Sequence, residues 1–150
     1  MDSHKYDSLK IENQLCFPLY ACAKEIVRRY HPFLKDIDLT YTQYIAMMVL
    51  WEKESINVKE LGNILFLDSG TLTPLLKKLE QKGLITRSRS LEDERNVLIS
   101  ITKEGIYLKE KALEIPKNMV SCLNLDKEKA MVLASQLNSM LNDIALSYDK

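Results

Sequence analysis

Two groups of residues in this chain carry the chemistry: a run of cations near its middle, and three thiols. Between Thr71 and Leu91 stand Lys77, Lys78, Lys82, Arg87 and Arg89 against Glu80 alone, a net +4 over 21 residues. Such a patch can neutralise backbone phosphates, because each contact releases a counterion from a duplex. Ser69, Thr71 and Thr73 precede the cations at the start of an expected helix, where hydroxyls and the helix dipole can meet phosphates or base edges. The plain alternative for the lysines is a solvated helix face. Cys16, Cys22 and Cys122 are the thiols. As a thiolate, cysteine attacks peroxides to give a sulfenic acid, which can condense with a second thiol. As a thiol it is more often a small buried apolar residue, and that reading is kept for Cys22 and Cys122.

Composition excludes several classes. The whole chain balances 21 Lys+Arg against 21 Asp+Glu, so any polyanion affinity must be local. An odd number of cysteines without C-x-x-C spacing argues against a secreted disulfide framework and for a reducing cytoplasm. His4 and His31 are isolated and no Cys/His grouping has zinc spacing, so neither metal nor cofactor is expected. Met47 and Met48 fit core filling better than a ligand box. No apolar run is long enough to span a membrane, and the polar start MDSHKYDSLKIENQL lacks a signal core. Phosphate-loop, dinucleotide and nucleophile-elbow fingerprints are absent.

The elements that must position these groups are mostly helical. Residues 8–31 form an expected long helix, apolar on more than one side, which in a small chain calls for cover by a partner subunit. Pro18 predicts a kink or a nearby helix start, and Pro32 predicts the end. Thr40 can cap a helix from Tyr41 to about Glu52, and Asn57 one from Val58 to about Leu65, with an extended piece around Ile56 between them. Leu72, Leu75, Leu76 and Leu79 then build one buried face of the basic helix, and Gly83 supplies its left-handed stop. Pro74 is tolerable there only near the helix start. A strand, a charged turn and an alternating strand over Val97–Ile101 complete a β-hairpin. Thr102 can cap a helix that Pro116 interrupts, and Asp126 a last one with apolar residues at about every seventh position. The expectation is a mainly α fold with a small β-hairpin wing. Residues 1–150 then form one domain: a winged helix-turn-helix over about 40–102, flanked by dimerisation helices over about 8–31 and 103–148.

The block LGNILFLDSGTLTPLLKKLEQKGLITR, followed by DERNVLISIT, resembles the MarR family of winged-helix regulators. The block ENQLCFPLYACAKEI, with DLTYTQY downstream, is similar to its organic-hydroperoxide-sensing branch. The resemblance implies a homodimer on double-stranded DNA, with recognition helices in successive major grooves and wings in adjacent minor grooves. It implies that Cys16 is the peroxide-reactive thiol, with Tyr30 and Tyr41 donating hydrogen bonds to its sulfur across the dimer interface. It implies that Asp93 steadies the wing and that Arg95 enters the minor groove. Cys122 lies near where two-cysteine members keep a resolving thiol. From the residues alone, the tyrosines could be ordinary core, and Asp93 with Arg95 a solvated pair.

The expected function is therefore a repressor that leaves a pseudo-palindromic operator when an organic hydroperoxide oxidises Cys16, which a low-molecular-weight thiol can then cap. A redox-responsive global regulator and a ligand-responsive regulator with a structural Cys16 are the alternatives. A thiol peroxidase is a remoter one, since a turning-over enzyme would have no use for a basic wing.

Overall fold

The computed structural model describes residues 4–89, 96–124 and 126–148. Helix α1 spans Cys16–Lys35, α2 Tyr41–Lys53, α3 Val58–Leu65, α4 Ser69–Gln81, α5 Lys103–Ala112, α6 Ile115–Leu123 and α7 Lys127–Tyr148. Strands β1 (Ser55–Asn57), β2 (Ile85–Arg89) and β3 (Val97–Ile101) form an antiparallel sheet in the order β1-β3-β2. The expected extended piece around Ile56 is thus a third strand, with Ile56 opposite Ile99. Two compact units result, Met1–Ile115 and Pro116–Lys150.

Capping side chains begin α2, α3, α4 and α5, with Thr40, Asn57 and Thr102 where the sequence placed them. Thr40 accepts from the Gln43 N–H, and Gln43 Oε1 accepts from the Thr40 N–H, so this buried glutamine is satisfied by the box it closes. Asn57, Asp68 and Thr102 each accept from the backbone N–H three residues on. Of the five described residues with positive φ, each following a helix, Asp38 (52°), Phe66 (53°) and Gly83 (71°) share one kind of ending. In each case the next residue's N–H reaches back five positions, from Leu39 to Leu34, Leu67 to Gly62 and Leu84 to Leu79, closing a Schellman turn.

Prolines account for where expectation and structure differ. The segment expected to be helical from residue 8 holds two 3-10 turns, Asp7–Leu9 and Ile11–Asn13, and the regular helix starts at Cys16. Pro18 therefore falls in the first turn, where no N–H has an intrahelical partner to lose. Pro32 does not end α1, which continues to Lys35 and seats Leu34 in the core. Pro74 is the sixth residue of α4, beyond the first turn. The carbonyl it deprives belongs to exposed Gly70, so water can take the missing donor's place. Pro116 is the second residue of a new helix, a position that proline favours.

Around α2, the first unit packs α1, α3, α4, α5 and the sheet. Ala46, Met47, Leu50, Leu61, Leu79 and Ile99 have no accessible surface. Gly105 lets α5 press on the sheet: a Cβ there would lie 2.4 Å from the Leu84 carbonyl oxygen. Trp51 Nε1 donates to the Gly105 carbonyl at 2.8 Å, tying α2 to the same point. In the second unit, Asp126 caps α7 through the Lys129 N–H, and Leu133, Leu137, Leu141 and Ile144 leave an exposed apolar stripe along that helix.

Candidate functional site

Helices α3 and α4, joined by the turn through Phe66, are a helix-turn-helix, with the β2–β3 hairpin after it. Gly62 permits the tight crossing, since a Cβ would meet the Leu67 carbonyl oxygen at 2.7 Å and Leu72 at 3.0 Å. All four leucines of α4 are buried, which turns Ser69, Thr71, Thr73, Lys77 and Lys78 to solvent. Asp68 caps this helix through the Thr71 N–H, and that hydrogen bond holds its carboxyl below the usual carboxylate range.

Two of the hydroxyls are already committed as donors. Thr71 Oγ1 donates to Asp68 Oδ2 at 3.2 Å, and Thr73 Oγ1 donates to the Ser69 carbonyl at 2.8 Å. Each keeps lone pairs facing outward, suited to accept from the amino group of a base edge rather than to donate to a phosphate. Lys77, Lys78 and Arg89 are exposed beside them. A cavity of about 500 Å³ between α3, α4 and the base of the wing is lined by Lys59, Asn63, Ser69, Thr73, Arg87 and Asn96 among others. The sequence reading missed Lys59 and Asn63. Their one signal was a four-residue spacing along α3, which places them on one face. Arg87 is not directed to solvent alone: its guanidinium is engaged by Glu80. Asp93 and Arg95 lie outside the described residues.

The thiol region is built on α1. Cys16 is the first residue of that helix and is exposed in the single chain, as are Cys22 and Cys122. Tyr30, near the other end, stacks on Tyr41 at the start of α2, with ring centroids 4.9 Å apart. Tyr44, one turn further along α2, joins them at 5.8 Å from Tyr30 and meets Trp51 edge-on. The sequence reading gave Tyr44 no role; its i, i+3 relation to Tyr41 was the available signal. Burial pushes all three hydroxyls above the ordinary tyrosine range, with the neighbouring rings adding to it at Tyr30 and Tyr44. They stay protonated at neutral pH and remain donors. Fourteen residues of helix separate Cys16 from Tyr30 by about 21 Å, so the structure does not bring them together within one chain. Cys122 sits in α6. Among the described residues no group of His, Cys, Asp and Glu could hold a metal, and no helix is long and apolar enough to cross a membrane.

Known proteins share this arrangement. Residues 28–112 match the family of SarA/Rot transcriptional regulators. The chain is 50% identical over 141 residues to the organic hydroperoxide resistance transcriptional regulator of Bacillus subtilis strain 168, covering 94% of this chain and 96% of that one. It is 42% identical over 139 residues to the HTH-type transcriptional regulator SarZ of Staphylococcus aureus strain MRSA252, covering 93% and 92%. Among solved structures, reduced AbfR bound to DNA matches with a TM-score of 0.77 at 32% identity, over 94% of this chain and 99% of that one. A basic recognition helix, a wing beside it and relatives of this kind along nearly the whole length agree: the chain belongs to the SarA/Rot transcriptional regulators, MarR-type winged-helix DNA-binding proteins with an organic-hydroperoxide branch.

Proposed function

We propose that this regulator is a homodimeric repressor acting in the cytoplasm, which holds a pseudo-palindromic operator while Cys16 is reduced and releases it when an organic hydroperoxide oxidises that thiol. The observation that carries the reading is the pairing of Tyr30 with Tyr41, two protonated phenols whose ring centroids lie 4.9 Å apart near one end of the helix that Cys16 begins. A second copy of α1 running antiparallel would bring Cys16 of one subunit to the tyrosines of the other. Apolar residues left open at and just before the start of α1, among them Leu15, Phe17 and Tyr20, and the exposed stripe on α7 supply surface for such a partner. The whole chain then works as one module, its terminal helices dimerising and residues 40–102 reading DNA. Relatives named for hydroperoxide resistance, and a redox state specified for a DNA-bound neighbour, support the same reading.

In the chemical step the Cys16 thiolate attacks one peroxide oxygen. An S–O bond forms, the O–O bond breaks, and the alcohol leaves with a proton, so sulfur is oxidised by two electrons and the peroxide reduced. A low-molecular-weight thiol then displaces hydroxide, lost as water, and the mixed disulfide wedges the dimer interface. The protein reacts once per oxidation and does not turn over as an enzyme. DNA contacts come from Ser69, Thr71, Thr73, Lys77, Lys78 and Arg89, and from Arg95, with Asp93 steadying the wing.

Operator release is measured against hydroperoxide dose for the wild type, Cys16→Ser, Tyr30→Phe and Tyr41→Phe. Cys16→Ser should stay bound at every dose. Each tyrosine variant should bind normally when reduced but oxidise several-fold more slowly, as expected for loss of one hydrogen bond of about 1 kcal/mol. A Cys16→Ser protein that still lets go on oxidation rules the mechanism out.

A further inference from the structure

Glu80 is an expensive residue where it stands. It is the only acid between Thr71 and Leu91, so it weakens the field that attracts phosphate. It also sits next to the last residue of α4, where a carboxylate faces the negative end of the helix dipole. Three contacts offset these costs. Glu80 Oε2 accepts from Arg87 Nε at 2.8 Å and from Arg87 Nη2 at 2.6 Å, and Oε1 accepts from the Arg87 backbone N–H at 3.2 Å.

The backbone contact matters because β2 is an edge strand of the sheet. Its outward N–H groups have no strand to pair with, and Glu80 takes the one at Arg87. The same carboxylate therefore grips the strand by main chain and side chain together, with both partners about one-third exposed. Arg87's hydrogen bonds hold the Glu80 carboxyl below the usual carboxylate range, so the grip is ionic at neutral pH.

We propose that Glu80 is the positioning residue that sets the wing against the recognition helix, and that Arg87 is the wing's anchor rather than a phosphate contact. Arg89 lies two residues beyond Arg87, on the same face of the strand and about 7 Å along it. A change of angle at the anchor moves Arg89 relative to the recognition helix. Helix and wing must reach the duplex together, so releasing the anchor costs specific binding more than non-specific attraction. The inference rests on the DNA-binding reading alone and is tested on reduced protein, so it stands or falls apart from Cys16 oxidation.

The test uses the full chain and two duplexes: one enriched by the wild type from a randomised pool, and a scrambled duplex of equal length. Glu80→Ala should weaken binding to the enriched duplex about tenfold, with binding to the scrambled duplex equal or tighter. Glu80→Gln, which is nearly isosteric and still accepts from Arg87, should fall between, and it guards against misfolding of the alanine variant. Glu80→Ala/Arg87→Ala should bind the enriched duplex no more weakly than Glu80→Ala, because the pair acts as a unit. The proposal is overturned if Glu80→Ala keeps or gains affinity for the enriched duplex, or loses equally on both duplexes. It is also overturned if Arg87→Ala lowers the salt slope by about one, the signature of a direct phosphate contact.

Discussion

In α4 every inward leucine is closed off by its own chain, whereas in α1 Leu34 is the single buried residue of twenty. Both helices are amphipathic, and both carry a proline past their first residues. The difference lies in what their apolar faces meet. Leu72, Leu75, Leu76 and Leu79 lie in the first unit's core, so the DNA-reading part is complete within one subunit. Leu15 just before α1, and Phe17 and Tyr20 within it, stay open, at 69%, 46% and 64% exposure. Leaving such surface in water costs about 25 cal/mol per Å². A regulator that must hold DNA and also change state can keep the first task in a closed core and place the second on a surface that another molecule completes.

The largest effect should come from breaking the closed side of this comparison. Leu79→Ala removes a side chain with no accessible surface and leaves a cavity, costing about 2–5 kcal/mol. Thermal unfolding should show it, and DNA binding should fail with the fold. If Leu79→Ala melts as the wild type does, the recognition helix is not held by its leucines.

On the open side the expectation reverses. Phe17→Asp should leave the fold and its helical circular dichroism in place while weakening the dimer by about 2 kcal/mol, so that melting becomes more dependent on concentration. Sedimentation that finds an equally tight dimer would remove Phe17 from the interface. The smallest effect belongs to the cap of α4. Asp68 is held below the ordinary carboxylate range, so its share of stability is present above that range and disappears as pH falls through its lowered value. Asp68→Asn keeps a capping oxygen but not the charge, so it should lose a little stability at neutral pH and flatten the acid limb of the stability curve. An unchanged acid limb would mean that the carboxylate charge contributes nothing.

Much of this was legible in the residues themselves. Thr40, Asn57 and Thr102 mark helix starts because a cap contacts an N–H only three residues away. Gly83 marks a stop because a positive φ is a local demand that glycine meets most easily. The leucine spacing of α4 declared its buried face because helical period and burial are the same geometry. Cys16, Tyr30 and Tyr41 were named through resemblance; within one chain the fold gathers the two tyrosines and leaves Cys16 apart from them.

What only the tertiary structure decided is whatever depends on partners distant in sequence. Ile56 becomes a strand residue because Ile99, far along the chain, is there to pair with it. Pro32 is carried inside α1 as the chain beyond it seats Leu34, Ile37 and Leu39 in the core, a balance no local propensity contains. Tyr44 joins the tyrosine pair because α2 packs on α1. Arg87 looked like one more cation for phosphate, until folding placed Glu80 against it. Local chemistry names the groups and the periods; the closing of loops and the competition among side chains for each other settle which groups are free to meet DNA and which hold the reading surface in shape.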